Sequence, residues 1–197
     1  MISLRSLLVA GSAALMLSSC VAVPSPAPAA DLPPPMRWDF HPEAIAWSAA
    51  SFAALDTHAA ALPALVPDDI DAWCPAYADA DEVQREAFWV GLISSLAEYE
   101  STWNPDAVGG GGRWFGLVQI SPATARGYGC AATTGSALRD GPANLQCAMR
   151  IWAATVSRDG VVSEGRRGVA ADWGPMSNGT RREQIREWVS QQSYCTG

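Results

Sequence analysis

Apolar residues recur along this chain at helical rather than strand spacing. The clearest case lies between Glu82 and Ser101, where Trp89, Ile93, Leu96 and Glu100 follow at intervals of four, three and four and so share one helix face. Val83, Phe88 and Leu92 widen the apolar surface, and a helix this apolar is expected to be largely buried. Asp79 or Asp81 can cap its start, with Glu82 in the first turn. Leu145, Met149, Trp152 and Val156 repeat the same spacing and predict a helix from Asn144 to Val156.

The flanks are shorter. His41 to Ala61 reads as a helix, with Pro42 in its first turn and Ile45, Trp47, Phe52 and Leu55 as its apolar residues. Pro63 and Pro67 break it, and Asp68 to Trp73 reads as a connecting turn. Pro105 ends the region after Ser101, and Gly109 to Gly112 predicts a flexible loop. Pro122 to Arg126 suits a short helix capped by Ser121 and ended by Gly127 and Gly129. Arg166 to Trp173 is ambiguous. Thr180 to Gln191 predicts a last helix with Ile185, Trp188 and Val189 on its core face. Strand alternation is nearly absent and no repeat is visible, so the fold class is mostly α, in a single domain.

The amino terminus has a different character. Arg5 is the only charge before Asp31, and Leu7 to Leu17 is apolar but too short to span a bilayer. Residues 1–19 therefore read as a signal peptide. Its end, Leu17-Ser18-Ser19-Cys20, resembles the bacterial lipobox, which implies lipidation of Cys20 and a membrane anchor. Val21 after the cysteine resembles proteins passed to the outer membrane, so a periplasmic, outer-membrane-anchored location is expected. Residues 20–37, with six prolines from Pro24 to Pro35, read as a semi-rigid linker to a domain over 38–197.

Charge removes one class of partner. The net charge is -7, with no lysine, so a nucleic-acid partner is not expected. With Cys20 set aside, Cys74, Cys130, Cys147 and Cys195 remain, an even number in an exported domain, which suggests two disulfides. Three pairings are possible. Cys74–Cys195 is favoured because it would tie the domain's start to its end, and Cys130–Cys147 because it closes a short loop. No paired Cys-x-x-Cys and no nearby histidine suggests a metal site, so no metal and no cofactor are expected. His41 and His58 read as surface or helix residues. Most of the nine tryptophans are expected in the core or half-buried.

One carboxylate stands out. Glu100 lies on the apolar face of the long helix, where burial disfavours its charged form and raises its pKa, as a general acid requires. Glu98 lies about 200° round the helix and is expected to face solvent. Asp106, after Pro105, reads as a turn residue.

The run Tyr99-Glu100-Ser101-Thr102-Trp103-Asn104-Pro105, followed from Gly116 by Gly-Leu-Val-Gln-Ile-Ser, resembles the lytic transglycosylases of the lysozyme-like superfamily. The resemblance covers roughly Val83 to Pro175. It implies a lysozyme-like domain with a buried catalytic helix and peptidoglycan glycan strands as substrate. Glu100 would protonate the bond between N-acetylmuramic acid and N-acetylglucosamine, then deprotonate the C6 hydroxyl to close a 1,6-anhydro ring. Ser101 would orient the substrate amide or the acid, Gly116 would allow close approach of sugar, and Gln119 would line the cleft. Asn144 matches the family's helix-opening asparagine, or is simply an N-cap. Trp103, Trp114, Phe115 and Tyr128 flank these segments as candidate sugar-stacking residues.

Three departures are visible. Val118 stands where methionine is common, and Ser121-Pro122 replaces Met-Pro. The family's Ala-Ala-Tyr-Asn-Ala-Gly-Pro is here Ala170-Ala171-Asp172-Trp173-Gly174-Pro175, without the tyrosine. Either Trp173 supplies an aromatic wall, or Asp172 acts as a second carboxylate and favours hydrolysis by a lysozyme-type route. A catalytically inactive peptidoglycan-binding lipoprotein is the remaining alternative. Nothing in the sequence sets an oligomeric state.

Overall fold

A computed structural model describes residues 33–196; the expected signal peptide, Cys20 and most of the linker lie outside the described residues. Three helices come first: α1 (Ala44–Leu55), α2 (Ala61–Ala64) and α3 (Ile70–Trp73). Then follow α4 (Glu82–Ser101), the antiparallel pair β1 (Val108–Gly109) and β2 (Trp114–Phe115), and α5 (Pro122–Gly127). The chain continues through α6 (Gly141–Asp159), the pair β3 (Ser163–Glu164) and β4 (Arg167–Gly168), then α7 (Gly174–Ser177), α8 (Gly179–Ser190) and α9 (Ser193–Thr196).

Helix α4 is the axis of the domain. Asp81 caps it in a reciprocal box: its side chain accepts from the Gln84 N–H at 2.9 Å, and its own N–H donates to the Gln84 side chain. Every residue from Ala87 to Ala97 is buried, so the helix is covered on all sides, by α1, α2, α8 and α9 among others. Gly91 lets the Tyr194 ring lie against its backbone, since a Cβ there would collide with the phenol. The C-terminal segment thus packs on the same helix that ends in Glu100.

Several expected elements differ in extent. Helix α1 begins at Ala44 rather than His41, because the preceding residues form turns pinned by buried Trp38, whose indole N–H donates to Ser48. Ile45, one of the apolar residues of the first helix, and Val83, expected to widen the apolar surface of the long one, are 86% and 64% exposed and lie off the buried stripes. Helix α6 starts at Gly141, capped by Asp140 with Pro142 in the first turn. The expected Gly109–Gly112 loop is the turn of the β1–β2 hairpin, and Arg166–Trp173 becomes β4 and a single 3₁₀ turn.

Cys74–Cys195 and Cys130–Cys147 are both bonded, with Cα separations of 4.5 and 5.2 Å. The first joins the end of α3 to α9, and the second joins the end of α5 to α6. Packing extends upstream to Met36, which is buried, and to Pro35, whose carbonyl accepts from Tyr194. No described helix is long and apolar enough to cross a membrane.

Candidate active site

Glu100 is the penultimate residue of α4 and is half-buried. Burial raises its carboxyl pKa to about 7, and the Arg181 guanidinium at the start of α8 pulls weakly the other way. No hydrogen bond and no neighbouring carboxylate contributes to this shift. The C-terminal end of a helix also disfavours an anion. The arrangement therefore holds a carboxylic acid that keeps its proton near neutral pH.

The backbone after Glu100 is strained. Thr102 and Trp103 both have left-handed φ, at 53° and 54°, and Gln119 on the facing segment has 51°. Such conformations cost free energy in non-glycine residues and persist only where the surroundings enforce them. Here the Trp103 indole N–H donates to the Ser94 carbonyl at 2.9 Å, while the Trp103 N–H closes back on Ala97.

The Gly116–Ile120 segment is fixed to α4, α6 and the residues before α7 by four side chains. Ser101 donates to the Leu117 carbonyl at 2.8 Å, so its hydroxyl joins the end of α4 to this segment. Asn144 is fully buried: its side-chain oxygen accepts from the Val118 N–H, and its amide donates to the carbonyls of Phe115 and Leu138. It lies inside the first turn of α6 and is not the cap, a role held by Asp140. The Gln119 amide donates to Gly116 and Ala107 carbonyls and ties the segment to the residues before β1. Trp173, from the turn before α7, donates its indole N–H to the Val118 carbonyl at 2.8 Å.

These contacts revise several expectations. Trp173 is 4% exposed and packs edge-on against Trp152, so it offers no ring to a sugar. Gly116 has φ 82°, and a Cβ there would strike Leu138 and Asn144; the glycine is required by packing within the protein. Asp172 is exposed, and its carboxylate accepts from the Tyr128 hydroxyl at 3.0 Å. Burial and this contact raise the Tyr128 pKa. Glu98 does not face solvent freely: it is paired with Arg37 at 2.6 Å and only 29% exposed.

The other aromatics divide. Trp114 is 43% exposed, with Arg113 over its ring, while Phe115 and Trp103 are half-buried. Asp106 is exposed and loosely paired with Arg139 at 3.6 Å. His41 stacks on Trp47, and a His58 ring nitrogen meets the Gln146 carbonyl. Among the described residues, no group of three or more His, Cys, Asp or Glu is close enough to hold a metal ion. Arg181 was not legible in the sequence: no local motif marks it, and only folding brings α8 to the end of α4.

Comparison with known proteins fits this geometry. Residues 80–160 match the model of the Transglycosylase SLT domain, a stretch that holds Glu100, Gln119 and Asn144. No curated protein matches the chain. Among solved structures, a glutamate-to-glutamine variant of Bd0314 DslA superposes with a TM-score of 0.74 and 29% identity, covering 81% of this chain and 96% of that one. The wild-type form of the same protein gives a TM-score of 0.74 and 28% identity, covering 84% of this chain and 100% of that one. The chain thus has the mostly helical, lysozyme-like fold that its motifs suggested, with an SLT-type match that begins just before the helix carrying Glu100 and runs through α6.

Proposed function

We propose that this protein cleaves peptidoglycan glycan strands as a lytic transglycosylase, with Glu100 as acid and then base. The observation that carries the reading is the Glu100 carboxyl, lifted to about 7 by burial and without a partner, beside the segment that Ser101 fastens to its helix. Protonated Glu100 donates to the glycosidic oxygen between N-acetylmuramic acid and N-acetylglucosamine. The resulting carboxylate then takes the proton of the C6 hydroxyl as that oxygen closes on C1. Proton count balances over the two steps, and Glu100 ends protonated.

A single carboxylate suits this route better than hydrolysis. Hydrolytic pairs place a second carboxylate to act as nucleophile or to activate water. Here Asp172 is engaged by Tyr128, and no carboxylate perturbs Glu100. Tyr128, Gln119 and exposed Trp114 are the side chains proposed to meet sugar. Ser101, Gly116, Asn144 and Trp173 are proposed to act by holding the walls in place.

The amino-terminal sequence supports an exported form anchored through lipid on Cys20, with residues 20–32 as spacer, since Met36 and Arg37 pack into the domain, and the outer membrane as its site. Radiolabelled fatty acid incorporated by the parent and not by Cys20→Ser would support the anchor. The catalytic reading is tested by mass spectrometry of products from purified peptidoglycan, with the parent protein and Glu100→Gln. Anhydro-ended fragments from the parent alone support it. Reducing ends would make the enzyme a muramidase, and no products from the parent would leave a binding protein.

A further inference from the structure

Helix α8 links the candidate acid to a second recess. Arg181, in its first turn, is the cation that acts on Glu100. Gln184, Trp188 and Gln191 follow at intervals of three, four and three, so they continue the same helix face. Trp188 lies about 10 Å beyond Arg181 at the helical rise. Tyr99, next to Glu100 on α4, faces the same recess.

The recess has a volume of about 270 Å³ and is lined by Arg37, Tyr99, Gln184, Glu187, Trp188 and Gln191. Arg37 holds its two rings: its guanidinium carbon is 5.7 Å from the Tyr99 ring centre and 5.8 Å from that of Trp188. Glu98 in turn holds Arg37 at 2.6 Å, and the Arg37 N–H donates to Ser94. The aromatic floor is therefore fixed before any ligand arrives, which lowers the entropy cost of binding.

The chemistry of the lining selects its occupant. The Arg37 charge is neutralised by Glu98, and Glu187 adds a negative charge, so the recess does not suit a polyanion. Exposed Gln184 and Gln191 offer both donors and acceptors, and Glu187 offers acceptors only. Half-buried aromatic rings flanked by amides and a carboxylate suit a hydroxyl-rich ring with one apolar face. We infer that this recess binds a sugar unit of the glycan strand remote from the bond being cleaved, and so holds long strands along α8. The inference rests on the peptidoglycan-cleaving reading above and extends its substrate contacts beyond the motif-bearing segment.

The test uses the Glu100→Gln protein, so that binding is read without cleavage, with sedimentation on insoluble peptidoglycan. Trp188→Ala is expected to weaken binding by about three- to tenfold. Because Trp188 is half-buried, a second variant, Gln184→Ala with Gln191→Ala, alters only exposed side chains and is expected to weaken binding severalfold. In the active protein the double variant should raise KM on long strands with kcat unchanged, and leave KM on short β-1,4-linked oligosaccharides unchanged. If the double variant binds and cleaves long strands as the parent does, the recess is not a sugar site, while the function of Glu100 stands. If the parent neither binds nor cleaves peptidoglycan, both readings fall together.

Discussion

The two long helices among the described residues each carry an acid in their last two positions, and the two ends have opposite character. Helix α6 ends in Asp159, helix α4 in Glu100 and Ser101. Asp159 is paired with Arg158 at 2.6 Å and accepts the Gly168 N–H at 2.7 Å, which hold its pKa down to about 2. Glu100 has burial without a partner and stands at about 7. The caps differ in the same sense. Gly160 closes α6 in the left-handed conformation that glycine adopts freely, while α4 is closed by Thr102 and Trp103 under strain. One end is satisfied and structural. The other keeps an unpaired acid with a raised pKa and a strained backbone, the pattern expected where free energy is held for chemistry.

Exchanging the acids' chemistry should break the comparison most sharply. Glu100→Gln is expected to lower cleavage by about a thousandfold or more, since a positioned general acid is removed, in turnover assays on purified peptidoglycan. The same change should not destabilise the fold. Asp159→Asn should do the reverse, costing about 2 kcal/mol in denaturant unfolding through its lost charged hydrogen bonds, with turnover per folded molecule retained.

Opposite pH dependences follow. The folded pKa of Glu100 is raised, so its folded state binds the extra proton and its contribution to stability is lost as pH rises through about 7. Glu100→Gln should therefore be more stable than the parent by about 2 kcal/mol at pH 8 and nearly equal at pH 4. The folded pKa of Asp159 is depressed, so its contribution is present above about pH 4 and lost as pH falls toward 2. Urea midpoints of parent, Glu100→Gln and Asp159→Asn across pH would show both trends. The smallest effects are at the caps. Gly160→Ala should cost about 1 kcal/mol, because its Cβ would meet only the Asp68 carboxylate, at an ordinary contact distance of 3.7 Å, and only φ is at issue. Thr102→Gly should gain about 0.5 kcal/mol by releasing strain. Thermal unfolding of the two variants would check the signs.

What the sequence revealed and what it hid divide along contact distance. The course of α4 and the place of Glu100 depend on local spacing and were legible, and the cap was narrowed to Asp79 or Asp81, of which Asp81 holds it. Both favoured disulfides formed, because closing a short loop and tying the two ends are simple demands on a small domain. The start of α6 was missed by three residues, although Asp140 followed by Pro142 is a readable cap signal. The roles of Asn144 and Trp173 were not readable. Each bonds to Val118, from 26 and 55 residues away, and no local pattern encodes such a partner. Val83 shows the converse error, since an apolar residue next to a core stripe can still face water.

The measurement that tests the central claim most directly is titration of the Glu100 side-chain carboxyl by carbon-13 NMR, assigned against Glu100→Gln. A midpoint near 7, with cleavage falling over the same pH range, is the predicted result. A midpoint in the ordinary range for glutamate, about 4.3, would show a solvated carboxylate and contradict the account of Glu100 as a buried acid.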